Sequence, residues 1–274
     1  MLKDIRMDLD STAGPDSKHI RKQRSLCYMD SASRFREIDI ARGIAILMMI
    51  LFHTIFDLNF FMIAPVNVAT GFWRYFAMTT ASLFLFIVGI SLVVSHARSA
   101  VKLSGFSLVK KFLYRGAGIF ALGLLVTFAT WLYLREGFVI FGILHLIGVS
   151  VMLFPLFFRF KRYNILLGLL CIAGGFFIGT IQGPIWLLPL GIYPVSFVSV
   201  DYTPLIPWFG AVLFGIGMGD YLYSGGVRRL AVPYLPDRIA VPLSFLGQHS
   251  LVIYLVHQPV IILILAAVTG TKVL

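Results

Sequence analysis

Residues 36–60, REIDIARGIAILMMILFHTIFDLNF, decide the fold because this apolar run carries ionisable side chains at a helical spacing. Positions 39, 42, 46, 49, 53 and 57 step by three or four residues, so on an α-helix they lie along one stripe. The stripe holds Asp39 and Arg42 near one end and His53 and Asp57 near the other, and ~16 Å of helix separates Arg42 from His53. Ionisable groups at membrane depth are costly unless they are paired or line a cavity, so they mark a candidate functional site.

The composition of the whole chain excludes an ordinary water-soluble domain. Of its 274 residues, 59% are hydrophobic and only 13% are charged, with a mean hydropathy of +0.91, whereas about a quarter of a soluble domain is charged. The net charge of +11 does not indicate nucleic-acid binding, because basic residues between apolar runs are the ordinary mark of membrane topology. The two cysteines, Cys27 and Cys171, are too far apart and too few for a disulfide framework or a zinc site.

Seven apolar runs are long enough to cross a bilayer as helices. They lie at 38–60, 75–95, 112–134, 139–158, 163–181, 204–223 and 241–268. The pattern predicts an all-α, polytopic membrane helix bundle. Residues 184–200 contain three prolines and are predicted to form a re-entrant or hairpin segment, since proline removes a backbone donor that lipid cannot replace.

The distribution of basic residues predicts the orientation. We expect residues 1–37 to form a disordered tail and residues 38–274 to form the transmembrane domain. With seven spans, nineteen of the 23 lysines and arginines lie on the side of the tail. This asymmetry predicts a multi-pass protein of the cell membrane with a cytoplasmic N-terminus. An eighth span within 184–200 would move Arg228 and Arg229 to the other side and weaken the asymmetry.

Other polar residues in the apolar runs are candidates for the same site. His145 is expected about two turns inside the run 139–158, and Tyr254 and His257 share one face of the last run. His249 lies nearer the cytoplasmic interface, where simple solvation explains it equally well. His145 has the alternative of a buried histidine with a purely structural role.

Structural alternatives also exist for the remaining candidates. Arg42 and Asp39 have the spacing of an ion pair that anchors the first helix at the interface. Asp201 has the position of a cap for the helix that begins near Pro204, and Trp208 that of an interfacial aromatic residue. His53 and Asp57 are one turn apart, and a carboxylate there can hold the imidazole in one tautomer and make it a better base.

Three further blocks, together with the first run, carry a family resemblance. The blocks are GILHLIG at 142–148, DYTPLIPWFG at 201–210 and LGQHSLVIYLVHQP at 246–259. The first run contributes REIDIARGIAI at 36–46, Phe-His at 52–53 and Phe-Asp at 56–57. Together, these segments resemble prokaryotic membrane proteins related to the catalytic domain of heparan-α-glucosaminide N-acetyltransferase. The resemblance covers nearly the whole chain after residue 35.

The resemblance implies a transmembrane acyltransferase. Acyl-CoA, most simply acetyl-CoA, would be the donor, an amine or hydroxyl of an extracytoplasmic sugar or glycan the acceptor, and no metal is implied. The resemblance implies roles for Arg42, His53 and Asp57. Together with the other candidates, the site residues that we expect are His53, Asp57, His145 and His257 for catalysis, Arg42, Asp39, His249 and Tyr254 for the donor, and Asp201 and Trp208 for the acceptor. The donor arm would run along the first helix to His53, which would act as general base or acyl carrier. The sequence does not decide between a monomer and a homodimer.

Two other classes of protein fit the residues. A small proton-coupled carrier uses intramembrane histidine and aspartate in the same way, and an assembly subunit would use them only to hold helices together. The chain also departs from the lysosomal enzymes, because it has no histidine between Asp57 and Arg74. N-acetylation of heparan is therefore not implied.

Overall fold

The computed structural model describes residues 34–230 and 235–270, which form eight α-helices. The helices are α1 (Arg36–Phe60), α2 (Gly71–Ala100), α3 (Gly105–Leu134), α4 (Ile143–Phe157), α5 (Asn164–Ile178), α6 (Leu205–Leu222), α7 (Asp237–Gln248) and α8 (Ser250–Thr269). The predicted all-α helix bundle is confirmed, since these residues contain no strand beyond one isolated bridge between Gln182 and Tyr193. Most of the predicted tail 1–37, with Cys27, lies outside the described residues.

Six helical stretches of the described chain are long and apolar enough to cross a membrane, one fewer than the seven runs predicted. The difference arises at Ile143–Ile178, which forms one 36-residue stretch. Within it a 3-10 segment, Phe158–Tyr163, joins α4 to α5, and Lys161 has the non-helical angles φ 46° and ψ −126°. Each arm is ~22 Å long, and the arms bend sharply at this basic segment.

The bend returns the chain to the end where α4 began. The amide of Ile143 at the start of α4 donates to Asp201, and the end of α5 at Ile178 lies beside Gly191, in the same connecting segment. Phe158 at the bend lies against His96 near the end of α2, with ring centroids 3.9 Å apart. The fourth and fifth predicted runs therefore form two antiparallel arms.

Two other predicted elements differ in detail. The last predicted run is divided at His249 into α7 and α8, and only α8 is long and apolar enough to span. Residues 184–200 form no spanning helix; a short 3-10 segment, Ile185–Leu190, is followed by Gly191 at φ 103° and by the bridge at Tyr193. A compact hairpin-like connection at this place agrees with the sequence prediction.

Glycine contacts bring the helices close together. A Cβ on Gly89 of α2 would lie 2.2 Å from the carbonyl oxygen of Val212 in α6, and a Cβ on Gly215 would lie 2.1 Å from that of Phe86. Only glycine allows these backbones to approach so closely. Next to this contact, a buried apolar core formed from α2, α3, α4 and α6 fixes the centre of the bundle.

Candidate functional site

The start of α1, the end of α2 and the start of α3 enclose a cavity of about 300 Å³, which we call the basic pocket. Its lining residues are Arg34, Phe35, Ile38, Asp39, Arg42, Ser91, Val94, Ser95, Arg98, Ser99, Lys111 and Arg115. Five of these are cations and one is a carboxylate, so the pocket is strongly positive. We call this end of the bundle the basic end.

Arg42 is fixed in the basic pocket by two neighbouring side chains. Its Nη1 donates to Oδ1 of Asp39 at 3.0 Å, and its Nη2 donates to Oγ of Ser91 on α2 at 2.7 Å. The predicted Arg42–Asp39 ion pair is therefore present, with Asp39 buried. The ion pair does not exclude a binding role, because it positions the guanidinium at the pocket wall.

Seven polar residues of this pocket were not singled out in the sequence, among them the serines of α2 and the cations of α3. Lys111 donates to Oγ of Ser99, and Arg115 donates to Oγ of Ser95 at 3.2 Å. Their spacing in the sequence could have revealed them. Ser91, Ser95 and Ser99 follow each other at intervals of four residues, and Lys111 and Arg115 have the same interval, so each set shares one face of its helix.

A second polar group, the histidine cluster, lies further along α1 and consists of His53, Asp57, His257 and Gln258. The His53 and His257 rings are 4.8 Å apart and inclined by 64°. Nε2 of Gln258 donates to Oδ1 of Asp57 at 3.1 Å, and Nδ1 of His257 lies 2.6 Å from the carbonyl oxygen of Tyr254. The predicted pairing of Asp57 with His53 is wrong as a hydrogen bond, because within the described chain Gln258 is the side chain that binds Asp57.

The histidine cluster contains four buried polar atoms without a hydrogen-bond partner among the described residues. They are His53 Nδ1, Asp57 Oδ2, His257 Nε2 and Gln258 Oε1. Buried polar groups are nearly always paired, and each unpaired one costs about 1–3 kcal/mol. Four in one place indicate a site prepared for a polar ligand.

Buried apolar side chains lie on α1 between the basic pocket and the histidine cluster. Between them on the α1 stripe lie Ile46, which is 0% exposed, and Met49, which is 8% exposed. The lining of the basic pocket ends at Arg42 and Ser91, so the stretch of α1 along which the donor arm is expected to run carries buried apolar side chains. Met49 is the more easily displaced of the two, because its side chain is unbranched and flexible.

His145 and Asp201 both bind backbone amides at the start of α4. Nδ1 of His145 accepts from the amide of Gly142 at 3.2 Å, and Oδ2 of Asp201 accepts from the amide of Ile143 at 3.3 Å. Asp201 was predicted to cap the helix near Pro204, which is α6, but it caps α4 instead. Burial raises the pKa of Asp201, and hydrogen bonds from Thr203 and Ile143 partly oppose that rise.

The remaining predicted residues are dispersed. Trp208 packs against the apolar core. His249 is exposed and lies beside Phe245, with ring centroids 4.3 Å apart and the rings inclined by 39°. Tyr254 lies beside His257, with ring centroids 5.4 Å apart. Neither His249 nor Tyr254 lines the basic pocket, and their donor role stays a prediction.

Comparison with known proteins identifies the family. No curated protein and no solved structure matches the chain significantly. The family model described as heparan-alpha-glucosaminide N-acetyltransferase, catalytic, matches residues 34–259, a range that includes both the basic pocket and the histidine cluster. The chain therefore belongs to the family of the heparan-alpha-glucosaminide N-acetyltransferase catalytic domain, a family of membrane acyltransferases.

Proposed function

We propose that the protein transfers an acyl group, most simply acetyl, from acyl-CoA at the basic end to an amine or hydroxyl of a sugar or glycan that reaches the histidine cluster from the opposite side of the cell membrane. The observation that carries the proposal is the pair of sites on α1. A cationic pocket and a set of unpartnered buried imidazoles lie on one helix, ~16 Å apart from Arg42 to His53. The basic end, with the N-terminus, then faces the cytoplasm.

The basic pocket suits the phosphate groups of coenzyme A. Arginine guanidinium groups bind phosphate through several donors in a fixed plane, and Arg42 and Arg115 are each held by a serine on α2. The pocket contains one carboxylate, on Asp39, and five cations, so an anionic ligand would be bound against an excess of positive charge. Serine hydroxyls add neutral hydrogen-bonding groups to the same wall.

The histidine cluster suits proton transfer. Because Nδ1 of His257 faces a backbone carbonyl, the proton belongs on Nδ1 and the lone pair of Nε2 is left open. We assign Nε2 of His257 as the base that takes the proton of the acceptor while its oxygen or nitrogen bonds to the acyl carbon. The thioester bond breaks, and the thiolate of coenzyme A then receives that proton.

The other members of the cluster support this step. His53 has an open Nδ1 and is assigned to bind the acceptor or the thioester oxygen. Asp57 and Gln258 are positioning residues, since they bind each other and each retains an open oxygen. In this proposal His145 and Asp201 act structurally at the start of α4, and the donor arm reaches the cluster only when Met49 moves aside.

Labelled acetyl-CoA supplied to inside-out vesicles tests the proposal. We expect labelled sugar to accumulate with time, and His257→Asn and His53→Asn to lower the rate by about 10²-fold or more, as loss of general-base catalysis does. Thr54→Val is the matched control, because Thr54 lies next to His53 and its hydroxyl donates within α1 to Ile50.

Two results would contradict the assignment. Uptake of an unmodified sugar without label transfer would indicate a carrier. Full transfer by both histidine variants would exclude the histidine cluster as the reaction centre.

A further inference from the structure

A second cavity at the basic end, of about 480 Å³, lies between the α4–α5 bend and the end of α6, and we call it the bend pocket. Its lining residues are Arg159, Phe160, Lys161, Arg162, Tyr163, Asp220, Tyr221, Ser224 and Arg229. No lining residue is shared with the basic pocket. The proposed acyl transfer therefore leaves this cavity unexplained.

The bend pocket has an excess of positive charge. Four cations line it, three from the bend and Arg229 from the segment after α6, against the single carboxylate of Asp220. The side chains of Arg159, Lys161 and Arg229 form no salt bridge within the described residues. Like charges brought together without counterions repel each other, so their grouping favours an anionic ligand.

The backbone of the bend is held in place from the inside. Lys161 has a positive φ of 46°, which is sparsely populated for a residue with a side chain. Nδ2 of the fully buried Asn164 donates to the carbonyl oxygens of Phe157 at 2.9 Å and Lys161 at 2.8 Å. A strained residue persists only where its surroundings hold it, so the cations project from a fixed turn.

Exposed aromatic rings flank the cations. Phe160, Tyr163 and Tyr221 are 46%, 63% and 59% exposed, although they lie at the end of spanning helices. Aromatic residues at that level are typical of the membrane interface. The pocket therefore combines cations for a phosphate with exposed aromatic rings suited to the membrane interface.

We propose that the bend pocket binds the phosphate of an anionic phospholipid headgroup in the leaflet at the basic end. Basic pockets between transmembrane helices on the cytoplasmic side bind such headgroups. A free phosphate would use the same cations but not the open aromatic side, so the lipid is the occupant that uses the whole pocket.

Lipid binding to the purified, full-length protein tests this inference without reference to activity. The protein in a neutral detergent is titrated with dioleoylphosphatidylglycerol or dioleoylphosphatidylcholine, and bound lipid is counted by native mass spectrometry. We expect saturable binding of phosphatidylglycerol only. Removing one cation should weaken it about fivefold, and Arg159→Gln with Arg229→Gln about 25-fold.

Lys102→Gln is the matched control, since Lys102 is an exposed cation of the α2–α3 connection that lines neither pocket. Arg159 and Arg229 lie on different segments of the chain. If the double variant does not fold, the two single variants therefore test the inference independently. Equal binding of the two lipids, or unchanged phosphatidylglycerol binding in the Arg159 and Arg229 variants, would overturn the inference. Displacement of the lipid by equimolar inorganic phosphate or coenzyme A would assign the pocket to a soluble anion instead.

Discussion

Gly247→Ala should damage both stability and donor binding, because Gly247 is where α7 touches α1. A Cβ at this position would lie 1.8 Å from the backbone oxygen of Asp39. The contact is reciprocal, since a Cβ on Gly43 of α1 would lie 2.0 Å from the backbone oxygen of Leu243 in α7. Both neighbours are backbone atoms, so a side-chain rotation cannot relieve the overlap.

The size of the effect follows from this distance. Raising the contact from 1.8 Å to 3.0 Å requires the two helices to separate by about 1.2 Å. Overpacking of this kind costs about 1–3 kcal/mol, and the higher helix propensity of alanine returns at most ~1 kcal/mol of it. Asp39 is also the partner of Arg42, and a misplacement near 1 Å can cost up to ~10²-fold in a binding or catalytic geometry.

The measurement is a pair of assays on purified protein. We expect Gly247→Ala to lower the midpoint of thermal unfolding and to raise the KM for acetyl-CoA about tenfold. Gly118→Ala is the control, because a Cβ on this α3 glycine meets nothing within 4 Å and alanine should stabilise the helix slightly. If Gly247→Ala leaves both the unfolding midpoint and the KM unchanged, the close contact of α1 with α7 and its link to Arg42 are refuted.

Three other changes test separate parts of the molecule. Arg115→Gln should raise the KM for acetyl-CoA about tenfold, because one contact with a phosphate is lost. Lys110→Gln should leave the KM unchanged, since Lys110 is exposed and lies outside the basic pocket. Equal effects of the two variants would exclude the basic pocket as the donor site. Met49→Trp should lower acyl transfer about 10²-fold, because the larger and more rigid side chain cannot move aside for the donor arm. Coenzyme A binding should change by less than about threefold. Normal transfer by this variant would show that the donor arm takes another path. Burial raises the pKa of Asp201 above its ordinary 3.8, so the folded chain binds the proton of this carboxyl more tightly than the unfolded chain does. The free energy of unfolding therefore falls as the pH rises from 3.8 to the pKa of Asp201 in the folded chain. Asp201→Asn should therefore flatten the pH dependence of the unfolding midpoint, and an unchanged slope would contradict the assignment.

Much of the fold was accessible from the sequence because lipid imposes simple rules. Apolar runs of spanning length predicted the helices, and the prolines of 184–200 predicted that this segment would not span. The sharp bend at Lys161 was less accessible, since a short 3-10 segment joins the fourth and fifth predicted runs in one helical stretch. The division at His249 also escaped prediction, because apolarity alone does not reveal where an amphipathic helix ends and a spanning one begins.

The site was accessible only in part. The spacing of residues along α1 predicted that Arg42 and His53 share a stripe, since one helix fixes that relation. Contacts between helices far apart in the sequence could not be predicted, such as Gln258 with Asp57, 201 residues apart. Asp201 illustrates the limit, because its neighbours along the chain suggested a cap for α6, while tertiary packing brings it to α4.

The two helices that form the histidine cluster, α1 and α8, differ in how extensively they pack against the rest of the bundle. His53 and Asp57 belong to α1, which is fixed by the glycine contact with α7 and by Arg42 bonded to α2. His257 and Gln258 belong to α8, which packs mainly against α1 and α7 and has only 11% of its spanning window buried. A helix with few buried contacts is displaced at lower cost than one joined to the core. In the proposed mechanism, α8 is therefore the part of the histidine cluster that we expect to move at lower cost when the donor and the acceptor bind.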